Sequence, residues 1–463
     1  MPPATVRAPR RASVSDRLAT LALLAVALMA SPRSAVAVPS FARQTGMPCS
    51  QCHTLAFGPA LTAYGRQFKL SGYTYSGGEN PMPLALMIQG GYSRTATAQP
   101  SEPAPHFSPS ENVSVDQVSL FISTRLSEHW GMFMQTTYSG VDRHYSWDNT
   151  DVRYARPTTL FGTDAIVGLT INNNPTVQDL WTSTPAWGYP YITSPLVPSP
   201  VTTAVIDGGL AQLVLGASAY AMVHEHLYLE AGGYKGLSDH WLNNVGLYSD
   251  SSPHVNGVAP YWRAVYQFNR GERREHYFSL GTYGLDVRMQ PDPTVPDTNR
   301  FTDIAFDATY QYTPEDGPGA ILATTSFTRE KQDLAATFAA AGSANASNHL
   351  NEWRFDFAYA YRQTWSASFG LFDFNGSPDP LLYAPAALTG SNSGSPDTRG
   401  YIVQLEYVPL GKQTSWAAPW VNLRLGVQYT GYTRFNGGTT NYDGFGRSAS
   451  DNDSLFVFLW MAF

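Results

Sequence analysis

The sequence predicts an all-β fold, an antiparallel transmembrane β-barrel of about sixteen strands that follows a short helical segment. Apolar and polar residues alternate along many short stretches of residues 83–463, which is the period of a half-buried strand. The composition combines 27 Tyr, 23 Phe and 11 Trp with only 14% charged residues, a balance that suits strands contacting both lipid and water. After residue 37, no stretch offers the ~18 consecutive apolar residues of a membrane-spanning helix.

The first 37 residues have the three-part layout of an export signal. Four arginines form its basic start: Arg7, Arg10, Arg11 and Arg17. The apolar run Leu18–Ala30 follows, and it is too short to span a membrane. Ala35 and Ala37 form a small-x-small cleavage site, so the exported chain is predicted to begin at Val38.

The exported chain is acidic. The whole sequence has 29 basic and 36 acidic side chains, and removal of the signal takes away five arginines and one aspartate, which leaves a net charge near −11. A nucleic-acid partner would need a basic face, so the composition argues against this class of function.

Both cysteines of the chain lie in one short motif, Cys49-Ser50-Gln51-Cys52-His53. Two thiols three positions apart can each form a thioether to a haem vinyl group, and the next residue can place its imidazole on the iron. The motif therefore predicts one covalent haem c, attached at Cys49 and Cys52 with His53 as an axial ligand. A redox-active cysteine pair, part of a zinc site and coincidence are the alternatives, although a zinc site needs further ligands and a thioredoxin-like pair expects a βαβ context.

The second axial ligand of the iron has four candidates near the motif: Met47, Met82, Met87 and His106. Each also has a structural explanation. Met47 is explained equally by packing, Met82 and Met87 by lipid-facing or turn positions, and His106 by its Pro/Ser-rich loop. The spacing does not choose among them.

A helix is predicted between Phe57 and Gly72, where apolar residues recur at helical spacing and a glycine is placed to end the helix. The apolar residues are Leu61, Tyr64 and Phe68. Arg66 and Lys69 project from a neighbouring face. They are candidates for binding the haem propionates, and solvated cations on an ordinary amphipathic helix are the alternative.

Residues 38–82 form the predicted haem segment. A segment of about 45 residues is at the limit of what folds around its own core, and one haem would still leave much of the cofactor exposed. We therefore expect the barrel, residues 83–463, to shelter it.

The strands of the barrel are predicted from the alternation. In one of them, Ile304, Phe306 and Ala308 share a face opposite Asp303 and Asp307. Segments of this kind start near Leu84, Asp116, Trp130, Asp164, Ala211, Leu227, Val258, His276, Phe301, Ala320, Leu350, Trp365, Tyr401, Trp420 and Ser454. Because lysine is scarce and aromatic residues lie near strand ends, we expect the apolar face to meet lipid and the polar face to line an aqueous lumen.

The last strand is predicted to end in an apolar row closed by Phe463, which resembles the signal of outer-membrane insertion. Its opposite face carries Phe456, Phe458 and Trp460, which break the rule of polar residues inside. These rings are expected to line a narrow part of the lumen or to contact the haem segment.

Inward carboxylates are predicted at four positions: Asp303, Asp307, Asp356 and Glu406. They could guide a cation through the lumen, or they could be ordinary groups of a hydrated porin interior. The second explanation is the simpler one.

Four stretches resemble the fused monohaem cytochrome-porins of the bacterial outer membrane. They are Pro39–Gly46 and Tyr64–Tyr73, on either side of the motif, and Asn172–Asp179 and Thr184–Pro190 in a later loop. The resemblance implies a haem held at or in a 16-stranded barrel. It also implies an electron-transfer protein that oxidises extracellular Fe(II) and passes the electrons to periplasmic carriers. Cys49, Cys52 and His53 match the family's attachment motif directly, whereas the second axial ligand does not carry over.

Two other functions have the same sequence features. A haem-bearing porin would admit small solutes, and an outward conduit would deliver electrons to an extracellular acceptor. The expected partners of the Fe(II) conduit are an extracellular donor, a periplasmic cytochrome or other electron carrier, and outer-membrane lipid. Nothing in the sequence resembles a nucleophile elbow, a phosphate-binding loop or a zinc-protease helix, and His224-Glu225-His226 is predicted to be part of a strand turn.

Overall fold

The computed structural model describes residues 40–77, 82–247, 254–292, 295–314 and 317–463. The predicted export signal and its cleavage site lie outside the described residues.

Strands dominate the described residues. They are β1 Leu84–Thr95, β2 Glu111–Arg125, β3 Trp130–Ser139, β4 His144–Leu160, β5 Thr163–Asn172, β6 Val214–Val223, β7 Leu227–Gly236, β8 His254–Val255, β9 Val258–Arg270, β10 His276–Gln290, β11 Asn299–Tyr312, β12 Gly319–Asp333, β13 Ser347–Tyr361, β14 Trp365–Gly376, β15 Thr398–Tyr407, β16 Asn422–Arg434 and β17 Ser454–Ala462.

The sheet closes on itself. Each long strand pairs antiparallel with the next long strand along the chain, and β17 returns to β1 with Gly91 opposite Phe458. The two-residue strand β8 only extends the edge of β10. The described residues thus form a closed barrel of sixteen long antiparallel strands, which confirms the predicted fold class.

The helices are short. They are α1 Ser40–Thr45, α2 Cys49–Cys52, α3 Ala63–Leu70, α4 Asp239–Asn244 and α5 Ala335–Ala339. Among the described residues, no helix combines the length and the apolar character that a membrane crossing needs.

The two faces of the strands are oriented as the alternation predicts. On β11 the side chain of Phe306 is 56% exposed, whereas its neighbour Asp307 is 5% exposed and points inward. Exposed apolar residues recur on the outer face of other strands: Leu169, Leu229, Trp262, Leu405, Val427 and Val457. A soluble protein does not expose apolar surface so widely, so this belt contacts lipid and the chain is an outer-membrane barrel.

The two ends of the barrel differ in their connections. At one end, here named the short-turn end, strands are joined by residues 126–129, 161–162, 224–226, 271–275 and 362–364. At the opposite, long-connection end they are joined by residues 96–110, 237–257, 291–298, 334–346, 377–397 and 435–453. Short turns face the periplasm in outer-membrane barrels, so the long connections face the cell exterior.

The connection between β5 and β6, residues 173–213, folds into the barrel and is named here the lumen segment. Its Ile206 is buried in one cluster with the inward side chains of Tyr234 and Tyr283. The lumen segment therefore occupies part of the aqueous lumen that the strand number predicts. Apolar side chains of the lumen segment have a core to join only inside the barrel, since the outer face meets lipid.

Inward carboxylates hold the lumen segment in place. The backbone amides of residues 204–206 donate in turn to Glu352, Glu330 and Asp303 on three neighbouring strands. The bonds to Glu330 and Asp303 measure 2.6 and 2.9 Å. These side chains therefore serve as acceptors for buried backbone groups.

Candidate haem-attachment site

The motif Cys49 to His53 forms one turn of helix and then extends. Helix α2 begins after Pro48 and ends at Cys52, and His53 has extended backbone angles of φ −121° and ψ 134°. The two thiols lie three residues apart on this turn, and both are free and half-buried. This is the spacing that thioether attachment to two haem vinyl groups needs.

The motif lies at the short-turn end of the barrel. The backbone amide of Ser50 donates to the carbonyl of Gly411 at 3.0 Å, in the connection between β15 and β16. The side chain of Gln363, in the turn between β13 and β14, donates to the carbonyl of Ser50 at 3.1 Å. The motif therefore lies at the periplasmic end of the barrel.

The imidazole of His53 packs beside Gly58, where an added Cβ would lie 3.5 Å from Cε1 of the ring. Its Nδ1 is shielded from solvent and has no hydrogen-bond partner. Burial lowers the pKa of His53 to about 4, so the ring is neutral at neutral pH. A neutral imidazole is the form that binds a metal ion.

Burial keeps both thiols protonated. It raises the pKa of Cys49 to about 11 and that of Cys52 to about 12. Within the described parts of the chain, no group of three or more His, Cys, Asp or Glu side chains is arranged to hold a metal ion.

These residues fit a c-type haem. The donor set consists of two uncrosslinked thiols on one helical turn, followed by a neutral imidazole whose buried nitrogen has no partner. Cys49 and Cys52 would hold the porphyrin, and His53 would bind the iron.

Two strand residues donate hydrogen bonds to the backbone just after His53. The side-chain amide of Asn422 donates to the carbonyl of Ala56 at 2.6 Å, and Nη1 of Arg424 donates to the carbonyl of Gly58 at 3.2 Å. Both come from β16, near the end of the chain. The barrel wall thus fixes the position of the motif, as the expected sheltering requires.

Helix α3 packs directly on the motif. It begins after Thr62, whose backbone amide donates to the carbonyl of Cys52 at 2.9 Å. Gly65 leaves room for this contact, since an added Cβ would overlap the carbonyl oxygen of Cys52. Gly72, with φ +72°, follows the helix as predicted, but the helix covers only Ala63–Leu70, and Leu61 instead forms an isolated β-bridge with His53.

The structure does not bring Arg66 and Lys69 to the surface. Arg66 donates to Gln311 at 2.8 Å and lies 3.8 Å from the ring centre of Tyr277. Lys69 donates to the carbonyl of Val177 in the lumen segment at 2.7 Å. Both are buried, so the alternative of solvated cations is wrong, while their role toward haem propionates stays a prediction.

The candidates for the second axial ligand divide between the two ends of the barrel. Met47, Met82 and Met87 lie at the short-turn end with the motif; Met87 is buried on β1, and the other two are exposed. His106 is exposed in the connection between β1 and β2, at the opposite end. The structure thus brings the three methionines toward the motif's end of the barrel and leaves His106 at the other.

Three buried arginines that pair with groups inside the barrel were not predicted from the sequence. Arg153, Arg263 and Arg424 are almost fully buried on inward strand faces. Arg263 pairs with Asp307 and with Asp179 of the lumen segment, at 3.0 Å to each. The signal was available, since each arginine occupies a polar position of an alternating strand, but its partner is remote in sequence.

Two cavities remain inside the barrel. One, of about 830 Å³, opens at the short-turn end between α3 and the ends of β4 to β10, and Arg66, Gln67 and Tyr277 are among its lining residues. The other, of about 300 Å³, lies toward the long-connection end, and Tyr189 and Asp356 line it.

No known protein family matches the sequence, and no curated protein matches it. Solved structures do match. They include an anion-selective porin from Comamonas acidovorans, with 11% identity, a TM-score of 0.45, and coverage of 82% of this chain and 98% of that one. They also include Salmonella typhi OmpF in complex with daunomycin, with 12% identity, a TM-score of 0.48, and coverage of 82% and 97%. The outer-membrane channel DcaP of Acinetobacter baumannii has 10% identity, a TM-score of 0.42, and coverage of 82% and 96%.

The porin-like character of the chain follows from its own geometry. Sixteen antiparallel strands close into a barrel, apolar residues cover its outer face, and one long connection enters the lumen. The chain has the porin-like fold of the bacterial outer membrane.

Proposed function

We propose that the protein is an outer-membrane electron conduit. One haem c, attached at Cys49 and Cys52 and ligated by His53, accepts electrons that come from extracellular Fe(II) and passes them to a periplasmic carrier. The observation that carries the proposal is the position of the motif, which the barrel wall clamps at the periplasmic end. Fused cytochrome-porins, which the sequence resembles, perform this reaction.

The filled lumen favours electrons over solutes as the transported species. The lumen segment crosses the barrel and is held by the buried ion pairs of Arg263 and by three carboxylates. The lumen segment narrows the space that is open to a solute, whereas an electron needs only a packed protein medium and a redox centre. The haem supplies one-electron chemistry when bound, and the protein supplies its position.

The distribution of charge favours a cationic donor on the outer side. Acidic residues are frequent in the described connections of the long-connection end: Glu102, Asp142, Asp239, Asp292, Asp297, Asp379, Asp397, Asp443, Asp451 and Asp453. Outside the lumen segment, the basic residues of these connections are Arg143 and Arg447. A field of this sign raises the local concentration of a divalent cation such as Fe(II).

Stopped-flow spectroscopy tests the proposal. The purified, haem-loaded protein is mixed with Fe(II), and the α band of reduced haem is expected to grow. A Cys49→Ala/Cys52→Ala variant serves as the haem-free control, and mass spectrometry first establishes one haem on the wild-type chain. A haem-loaded protein whose α band does not respond to Fe(II) would contradict the proposed donor.

Planar bilayers test the porin alternative with the same preparation. The conduit proposal expects conductance far below that of an open sixteen-stranded porin. Large, stable channels carrying small ions through the wild-type protein would instead favour solute transport.

A further inference from the structure

A series of aromatic side chains, bridged at one point by a buried guanidinium, leads from the haem-attachment motif into the middle of the barrel. We propose that Phe57, Trp460, Tyr191 and Tyr189, with the guanidinium of Arg424 between Trp460 and Tyr191, form the path by which electrons reach the haem from the outer half of the lumen. This inference rests on the proposed function and deepens it, because it names the residues that the electron crosses.

The path begins beside the axial imidazole. His53 packs against Gly58, and the neighbouring side chain of Phe57 lies with its ring centre 4.8 Å from that of Trp460, edge to face. Trp460 belongs to β17, so the contact joins the haem segment to the barrel wall. Of the three inward rings of the last strand, Trp460 contacts the haem segment as predicted, whereas Phe456 and Phe458 pack with Ile192 of the lumen segment.

Arg424 joins the next members. Its guanidinium carbon lies 5.2 Å from the ring centre of Trp460 and 5.7 Å from that of Tyr191. The same guanidinium pairs with Glu406 and donates to the carbonyl of Gly58. One buried cation therefore holds the start of the path, the wall and the lumen segment in a single packed unit.

The lumen segment continues the path. The ring centres of Tyr191 and Tyr189 lie 5.9 Å apart at 89°. Both tyrosines also line a small void together with Thr54 and Leu55, which directly follow His53. The tyrosine pair thus contacts the haem segment from the lumen side.

Beyond Tyr189 the aromatic packing extends toward the cell exterior. Tyr189 packs against a cluster of buried rings on β14, β16 and the connection that follows β16: Phe372, Phe374, Tyr432, Phe435 and Tyr442. Tyr189 also lines the 300 Å³ cavity, whose wall includes the carboxylates of Asp207 and Asp356. A donor that enters this cavity is therefore in contact with the outer end of the path.

Two rings of the path carry a buried polar group that makes no hydrogen bond. The hydroxyl of Tyr189 and Nε1 of Trp460 are shielded from solvent and have no hydrogen-bond partner. Phenylalanine would fill either place without leaving a buried polar atom unsatisfied. Both orphaned groups belong to rings of the proposed path.

The redox step is a one-electron transfer. A donor at the cavity, such as Fe(II), loses one electron and becomes Fe(III), and the haem iron gains that electron and goes from ferric to ferrous. The rings mediate the tunnelling of the electron and keep their own oxidation state. No proton has to move along the path.

Photoinduced electron transfer tests the path without using Fe(II). Ser199 is exposed and lines the cavity, so a Ser199→Cys variant of the haem-loaded chain is labelled there with a ruthenium polypyridyl photosensitiser. After a laser flash, the rate of haem reduction is read from the α band. Replacing both Trp460 and Tyr191 by Leu is expected to slow this rate by about tenfold or more, whereas Trp365→Leu on the lipid face is expected to leave it unchanged. Equal rates in all three proteins would overturn the path.

Fluorescence gives a second readout that does not depend on the double variant. Subtracting the emission of a Trp460→Phe variant from that of the parent protein isolates the contribution of Trp460. This contribution is expected to be quenched in the haem-loaded chain and present in the Cys49→Ala/Cys52→Ala chain. Equal Trp460 emission in both states would overturn the proposed proximity.

The two proposals fail in different ways. A protein whose haem responds to the flash through the path, but not to Fe(II), would retain the path and lose the donor. A protein that Fe(II) reduces at the same rate with and without the aromatic residues would retain the function and lose the path.

Discussion

At the scale of single residues, the haem site depends on close packing of the backbone. The carbonyl of Cys52 accepts a hydrogen bond from Thr62, and Gly65 is the only part of α3 that is small enough to lie against that carbonyl. The same principle operates at Gly411, where an added Cβ would overlap the carbonyl of Ala56. A side chain at either glycine would therefore displace the cysteine motif from the barrel wall.

The first prediction is that Gly65→Ala lowers haem attachment. The added methyl group would force α3 away from Cys52, and the two thiols would no longer be held in one geometry. The haem-to-protein ratio, measured by absorbance and mass spectrometry, is expected to fall. Gly209→Ala is the control, because its nearest neighbours lie at ordinary contact distance. Full haem loading in Gly65→Ala would contradict the prediction.

The second prediction compares a buried arginine with an exposed one. Replacing Arg263 by Leu leaves Asp307 and Asp179 without their buried counter-ion, so the free energy of unfolding is expected to fall by about 3–5 kcal/mol. Arg300→Leu breaks the partly exposed pair with Asp286, and the loss there is expected to be at most about 1 kcal/mol. Urea unfolding followed by the mobility shift of the folded barrel measures both. Similar losses in the two variants would show that burial does not decide the effect.

At the scale of elements, α3 connects the haem motif to the lumen segment and carries a buried cation. Burial and, to a smaller extent, the charge of Arg153 lower the pKa of Lys69 to about 7, although Asp151, Asp179 and Glu230 oppose the shift. The unfolded chain keeps this lysine charged up to about pH 10.4. Between these two values the unfolded state binds the additional proton.

The third prediction concerns pH. Because the pKa of Lys69 is lower in the folded state, the free energy of unfolding is expected to rise with pH between about 7 and 10, by at most about 1.4 kcal/mol per pH unit from this group. Lys69→Met is expected to remove that part of the slope. Urea titrations of both proteins at several pH values measure it. An unchanged slope in the variant would assign the pH dependence to other groups.

Strand β4 is the long strand for which the sequence analysis predicted no segment, and its residues show why. The strand carries Asp151, Arg153 and Pro157, and its polar residues hide the alternation that identified the other strands. Their reason is tertiary: Asp151 accepts from Tyr73 of the haem segment at 2.6 Å. By contrast, the alternation of residues predicted which face of β11 points inward, and the Cys49-x-x-Cys52-His53 spacing predicted the haem motif.

The site itself was predictable only in part. Cys49, Cys52 and His53 are neighbours in sequence, so their chemistry is local. The partner of Arg66 is Gln311, which lies 245 residues later in the sequence, and no spacing rule connects the two. The entry of residues 173–213 into the lumen depends in the same way on carboxylates that become neighbours only after the sheet has closed.

At the scale of the whole molecule, the barrel is a porin-like shell whose interior is occupied from two directions. The haem segment enters at the short-turn end, and the lumen segment crosses the middle. Ion pairs and backbone hydrogen bonds hold these two segments inside the barrel, and cavities of about 830 and 300 Å³ remain beside them. Removal of the contacts that hold the lumen segment should therefore increase the conduction of ions through the barrel.

The fourth prediction is that the Asp303→Ala/Glu330→Ala/Glu352→Ala variant conducts ions. Without these acceptors the amides of residues 204–206 lose their partners, and the lumen segment is no longer held across the barrel. Single-channel conductance in planar bilayers is expected to rise above that of the wild type. Asp286→Ala/Asp373→Ala, which removes two partly exposed carboxylates, is the control and should resemble the wild type. Wild-type conductance in the triple variant would contradict the role assigned to these carboxylates.

The contacts of the motif with β16 also bear on the order of biogenesis. Ala56 and Gly58 are bound by Asn422 and Arg424, which the ribosome makes more than three hundred residues later. If the chain carries a haem, thioether formation before the final strands dock would meet a freer segment, because β16 afterwards binds the carbonyls of Ala56 and Gly58. Maturation of the cofactor would then be easiest ahead of barrel closure, and a chain that closed first would present half-buried thiols in a fixed geometry.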